Sequence, residues 1–305
     1  MPPDSAEPVP SWFREALAVA AEVGEVDVAG VPVRYRAWGT PGNGGIVLVH
    51  GGGAHSRWWD HIAPLLAAPA GRRIIALDLT GHGDSGRRAE YSLSGWAEEA
   101  VVVGRAGGAG PAPVLVGHSM GGMVALTAAR MFGAELGGAI TVDTPVRDLT
   151  PEEAAARDGR AFGPLRIYRS REKAISHFRL VPAQAKELGY VVAHIAEHSV
   201  RPVEGGWAWK FDPQAFRRPP LAAAELAELD CRVALFRAEH GLVPAAMSDM
   251  IVDRLGRAVP SVEIPTAAHH LMVDEPIALV TGLRALLADW EYSTAMRPAA
   301  VSVPS

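Results

Sequence analysis

Gly117-His118-Ser119-Met120-Gly121 sets a hydroxyl between two glycines, directly after the apolar run Val114-Leu115-Val116 and before the small-residue stretch Gly122 to Ala129. The spacing reads as a buried strand, a very tight turn and a closely packed helix. Glycines at both flanks remove the Cβ atoms that would block such a turn. The turn pushes Ser119 into a strained backbone conformation with its hydroxyl outward. The new helix aims free N–H groups and a partial positive charge at the same point. A hydroxyl is a weak nucleophile at neutral pH, so the chemistry needs a nearby base and donors for the oxyanion it creates.

The elements that must position this serine alternate. Ser11 is placed to cap a helix running through Glu22, and Glu25–Ala29 and Val31–Ala37 suggest a β-hairpin around Gly30. Strands are expected at Ile46–Val49, Ile74–Leu77, Val114–Val116, Ala139–Val142, Val233–Phe236 and Val262–Ile264. Between them lie helices from Trp58 to Leu66, Leu93 to Val103, Ala245 to Leu255 and Pro276 to Trp290. This order predicts an α/β fold, a mostly parallel twisted sheet with helices on both faces. The alternation stops after Pro145. From Leu149 to about Pro220 no continuous strand is expected, only helices near Pro151–Arg160, Ser170–Phe178 and Leu188–His198. The predicted organisation is an N-terminal extension and helix over 1–24, a core over 25–148 and 221–292, a helical cap over 149–220, and a flexible tail over 293–305.

The G-x-S-x-G elbow in its strand–turn–helix setting resembles the nucleophile elbow of the α/β-hydrolase superfamily. His50-Gly51-Gly52-Gly53 after the first buried strand, Asp78-Leu79-Thr80-Gly81-His82-Gly83-Asp84-Ser85-Gly86 after the next, and Ala267-Ala268-His269-His270-Leu271-Met272-Val273-Asp274-Glu275-Pro276 near the end extend the likeness from Ile46 to Pro276. The resemblance implies the chain order nucleophile, acid, histidine. It makes Ser119 the nucleophile and His269 the base, with His270 the competitor one residue away. It makes the backbone N–H groups of Gly52 and Met120 the oxyanion donors. His50 and His118 are read as ordering their loops, and His82 and Asp84 as structural.

The acid is the open member. Much of the family carries it after the strand that here is Val233–Phe236, but Leu242 stands at the usual aspartate position in Arg237-Ala238-Glu239-His240-Gly241-Leu242. Some members carry it at the end of the strand after the elbow helix, and here that strand ends in Asp143-Thr144-Pro145. Asp143 is therefore favoured, Glu239 is the alternative, and a water-assisted dyad is the third possibility. Asp is also a common turn-former at strand ends.

Together these features point to a serine hydrolase acting on a carboxylic ester or lactone. Trp207 and Trp209, in the aromatic run that closes the cap, join Gly53 and His270 as expected pocket residues for a hydrophobic small molecule. Rival readings are C–C bond hydrolysis, perhydrolysis or lyase chemistry on the same residues, and a slow ligand-sensing receptor. No metal or organic cofactor is required by this reading. His194-Ile195-Ala196-Glu197-His198 spells an inverted zinc motif, but a solvated helix face is the simpler account.

The 305 residues carry a net charge of −5, which gives no reason to expect nucleic acid or an anionic membrane as partner. At 49% hydrophobic and 21% charged, the chain can bury a large core. It has no membrane-length apolar run and no basic leader, and Cys231, its one cysteine, reads as a small buried residue. A cytoplasmic monomer or homodimer is expected.

Overall fold

The structure, a computed structural model, describes residues 8–42, 44–68, 71–148, 150, 165–256 and 259–293. Its centre is an eight-stranded sheet in the order β1 (Glu22–Val28), β2 (Val31–Trp38), β4 (Ile74–Leu77), β3 (Ile46–Val49), β5 (Val114–His118), β6 (Gly138–Val142), β9 (Arg232–His240), β10 (Ser261–Ala268). The β1–β2 and β2–β4 pairs are antiparallel, and every pair from β4 to β10 is parallel. Strands β3 to β6 are buried along their whole length, which is why they read as unbroken apolar runs.

Side chains of those strands divide by parity. Val47, Val49, Ile75, Leu77 and Leu115 face one core with helices α3 (Leu93–Ala106) and α4 (Met120–Phe132). Ile46, Leu48, Ile74, Ala76, Val114 and Val116 face the other, with α1 (Ser11–Ala18), α2 (Ala63–Ala67) and the helix Pro276–Tyr292. From β3 the chain steps outward to β4, then returns to place β5 on the opposite side of β3. The loops leaving β3 and β5 therefore diverge, and a crevice forms at the carboxyl ends of these two strands. His50–Gly53 and Ser119 lie there.

Three local expectations differ from the structure. The first helix ends at Ala18 rather than Glu22, Ser11 is its first residue rather than its cap, and β1 already begins at Glu22 inside the expected N-terminal extension. Pairing with β2 as far as Ala37, together with an ion pair to Arg73 at 2.6 Å, draws Glu22 into the sheet. The expected helix Trp58–Leu66 is a short 3₁₀ turn, Ser56–Trp59, followed by α2. The segment 165–220 is not wholly helical. Besides helices Arg171–Ile175 and Gly189–His198 it holds an antiparallel hairpin, β7 (Val200–Val203) and β8 (Gly206–Trp209). Valines and tryptophans on either side of Glu204-Gly205 prefer a pleated surface, and Gly205 supplies the positive φ of 81° that the turn needs. The helix expected at Pro151–Arg160 and the tail beyond residue 293 lie outside the described residues. No described helix is long and apolar enough to cross a membrane.

Candidate active site

Strand β5 ends at His118, and α4 begins at Met120. Ser119 between them has φ 52° and ψ −118°, a conformation costly for any residue with a Cβ. The elbow is held from below by the Ser119 N–H, which donates to the Val142 carbonyl at 2.9 Å. Gly121 lets the first turn of α4 lie against β3, since a Cβ there would meet the His50 carbonyl oxygen at 2.6 Å. Ser119 stays partly accessible while its neighbours are buried.

The register that ties Ser119 to β6 also delivers Asp143, the residue after that strand. Asp143 is fully buried, has φ 43°, and is anchored by its N–H to the Phe236 carbonyl at 2.7 Å. Its carboxylate takes N–H bonds from Leu242 at 2.7 Å and Ala238 at 3.2 Å. The remaining partner is His269, whose Nδ1 lies 2.7 Å from Asp143 Oδ2. A carboxylate accepts only, so Nδ1 carries the hydrogen and Nε2 keeps its lone pair. That lone pair faces Ser119 Oγ at 3.1 Å. Ser119, His269 and Asp143 are thus brought into one hydrogen-bonded line across residues far apart in the chain. Three donors around a buried carboxylate offset its desolvation.

Glu239 is not at this line. Its carboxylate is exposed and accepts the Thr266 N–H at 2.7 Å. Thr266 has φ 61° and sits where the β9–β10 register shifts between Ile264 and Ala268. Glu239 therefore steadies the bulge from which the His269 loop departs. Leu242, at the position where the family resemblance implies an aspartate, presents an N–H to Asp143 instead. In the same loop, Asp274 accepts the Ala268 N–H at 2.6 Å, and burial pushes its carboxyl up to about 6.

The crevice beside Ser119 is lined by Gly52 and Gly53, both half-buried, the latter at φ 73°. As the first residue of α4, Met120 has no acceptor for its N–H within the helix. His50 orders the glycine loop: it accepts the Leu79 N–H at Nε2 (3.1 Å) and donates from Nδ1 to the Gly51 carbonyl (2.7 Å). Asp78 does the same for the next loop, taking the N–H groups of Ser56 and Asp84. His82 is buried in that loop, and Asp84 pairs with Lys210 at 2.8 Å, so neither reaches Ser119.

Of the expected pocket residues, His270 is buried beside His269, with ring centroids 4.8 Å apart. Its backbone N–H donates to Gln184 Oε1 at 3.0 Å, and its Nε2 lies 3.2 Å from the Pro182 carbonyl, so the segment 182–184 is seated on it. Trp209 connects to the site through Phe178, which contacts Trp58, which in turn contacts His270. Trp207 packs farther off, exchanging backbone bonds with Tyr168 at 2.8 Å each way. Phe216 also lies against the glycine loop: its Cε1 would lie 2.9 Å from a Cβ on Gly52. Sequence reasoning missed it. Pro213-Gln214-Ala215-Phe216 is a short 3₁₀ turn, and nothing in its pattern marks the ring as facing Gly52.

In the inverted zinc motif, His194 Nε2 is bonded to Asp60 Oδ2 at 3.0 Å and His198 Nδ1 to the His194 carbonyl at 2.8 Å. The motif joins the helix Gly189–His198 to the core. Among the described residues, the group of three potential metal ligands that comes together is His118, His269 and His270.

A family model described as "Alpha/beta hydrolase family" matches residues 46–282. The chain belongs to that family. Similar proteins include an esterase from Mycobacterium tuberculosis, 25% identical over 79% of this chain and 82% of that protein. Another is a pimeloyl-[acyl-carrier protein] methyl ester esterase from Klebsiella pneumoniae, 27% identical over 82% of this chain and 96% of that protein. A match to methylesterase 9 of Arabidopsis thaliana is 37% identical but spans only 34% of this chain and 41% of that protein. Among solved structures, an E-2-(acetamidomethylene)succinate hydrolase superposes with a TM-score of 0.74 at 22% identity, covering 88% of this chain and 100% of its own. That likeness concerns the fold. The family and its esterase-named members support a hydrolase.

Proposed function

We propose that the protein is a serine hydrolase that cleaves a carboxylic ester or lactone of a hydrophobic small molecule through an acyl-enzyme. The observation that carries this is the line Ser119 Oγ, His269 Nε2, His269 Nδ1, Asp143 Oδ2, with bonds of 3.1 and 2.7 Å at its two ends. His269 takes the hydroxyl proton as Ser119 attacks the carbonyl carbon. Asp143 holds the imidazole in the tautomer that leaves Nε2 free, and stabilises the imidazolium that forms. The N–H groups of Gly52 and Met120 receive the negative oxygen, with the start of α4 adding its partial positive charge. The imidazolium then protonates the leaving alcohol, and a water activated by the same nitrogen releases the acid.

The esterase names among the relatives favour an ester over other bonds. An apolar substrate fits Phe216 at Gly52 and the run Trp58, Phe178, Trp209 behind His270. The direct test is turnover of short p-nitrophenyl esters by the wild type and by Ser119→Ala. Turnover lost in the variant supports the reading; turnover kept in full removes Ser119 from the chemistry.

A further inference from the structure

The proposed reaction uses one imidazole, yet three crowd the same point. His118, His269 and His270 are exposed by only 2, 4 and 4%. Their ring centroids stand 4.8 Å apart for His118–His269, 4.8 Å for His269–His270 and 5.5 Å for His118–His270. One ring nitrogen from each lies within 4.8 Å of the other two. His118 donates from Nε2 to the His269 carbonyl at 2.8 Å, and His270 donates from Nε2 to the Pro182 carbonyl. An imidazole that donates from one nitrogen keeps a lone pair on the other. In His270 that other nitrogen, Nδ1, is buried with no hydrogen-bond partner. Leaving a buried acceptor unmet is costly, and a bound ligand relieves that cost. Beside the cluster, Ser119, Gly52 and Gly53 are all partly exposed.

We propose that these three imidazoles form an inhibitory site for a borderline transition-metal dication such as Zn²⁺, Ni²⁺ or Cu²⁺. Imidazole nitrogen suits these ions, whereas Mg²⁺ and Ca²⁺ prefer oxygen. Zn–N bonds of about 2.0–2.1 Å in a tetrahedral site set ligand nitrogens about 3.4 Å apart. The rings therefore need to close by no more than about 1.4 Å from the observed spread, within reach of small side-chain rotations. The fourth position falls to water or to Ser119 Oγ. An ion on His269 Nε2 occupies the lone pair that would take the serine proton, so the bound protein loses its base. Binding follows from the cluster alone; the inhibition rests on the serine-hydrolase reading.

The test is calorimetric titration of the whole protein with Zn²⁺ alone, on the wild type and on Ser119→Ala, beside ester turnover with and without the ion. Because Ser119→Ala needs no activity, the site is tested even if ester hydrolysis is not found. The expected result is one ion per chain in both proteins, weakened by about 100-fold or more in His118→Asn and in His270→Phe. His198→Ala should leave binding unchanged. Turnover should fall with occupancy and return on adding a chelator, while Mg²⁺ and Ca²⁺ have no effect. Absence of binding at millimolar Zn²⁺, equal binding in both cluster variants, or loss of binding in His198→Ala would each overturn the proposal. If a variant does not fold, Co²⁺ bound to the wild type decides. Intense visible bands of a four-coordinate, nitrogen-rich site support the cluster, and the weak spectrum of an octahedral ion refutes it.

Discussion

Gly241→Ala is expected to disable the site without replacing any residue of the Ser119–His269–Asp143 line. The glycine lies in the loop that folds over Asp143, and an added methyl carbon would sit 2.5 Å from Asp143 Cγ. Carbon atoms in contact rest at about 3.5–4.0 Å, so the loop or the carboxylate must give way by about 1 Å. The carboxylate bond to His269 is 2.7 Å, and a displacement of that size, pressed on both carboxylate oxygens at once, lengthens and misaligns it. The adjacent Leu242 N–H, also 2.7 Å from Oδ2, is disturbed with it. A displacement of about 1 Å in a catalytic geometry costs about 100-fold, so kcat should fall by about that factor, or about 2.7 kcal/mol, with KM little changed. Steady-state turnover of a p-nitrophenyl ester measures it, with thermal melting to check folding. The decisive comparison is a double-mutant cycle. If the methyl acts through the carboxylate, Gly241→Ala should cost nothing further in an Asp143→Ala background. Full activity in the single variant, or additive losses in the double, would refute the steric argument.

Further outcomes follow from the same geometry. Asp143→Asn should lower kcat by about 10³–10⁴-fold, since an amide no longer fixes the tautomer, while Glu239→Gln changes it by less than about 10-fold; the reverse pattern in ester turnover would move the acid to Glu239. Phe216→Ala should reduce kcat/KM for esters with long apolar acyl chains by about 10-fold, and much less for acetate esters, because it strips apolar surface near Gly52. Asp274 gives a pH signature. Burial raises its carboxyl from 3.8 to about 6, so the folded chain binds the proton more tightly than the unfolded chain. Its contribution is fully present below pH 4 and is lost as pH rises toward and past 6. Asp274→Asn should therefore gain on the wild type by about 2 kcal/mol between pH 4 and pH 8 in denaturant unfolding; a difference that is flat with pH would contradict the assignment.

Much of this site was legible because its parts are local. The elbow, the glycine loop after β3 and the histidine loop each announce themselves within a few residues, and their strands are apolar runs that a buried parallel sheet requires. The acid was harder. Asp143 and Glu239 are both carboxylates at strand ends, and only the register of β5, β6 and β9 decides which one faces His269. The sequence does not display that register. The β7–β8 hairpin escaped because each strand is only four residues long and β7 contains Pro202, leaving little periodicity. Phe216 escaped for another reason: its approach to Gly52 is a contact between segments more than a hundred residues apart, on a turn with no pattern of its own.

The central claim is that Ser119 carries the acyl group. Rapid quenching in acid during turnover of a p-nitrophenyl ester, followed by peptide mass spectrometry, tests it most directly. The account predicts an acyl adduct on Ser119 that accumulates in the wild type and is absent from Ser119→Ala. A turning-over enzyme with Ser119 unmodified, or with the acyl group on another side chain, would contradict it.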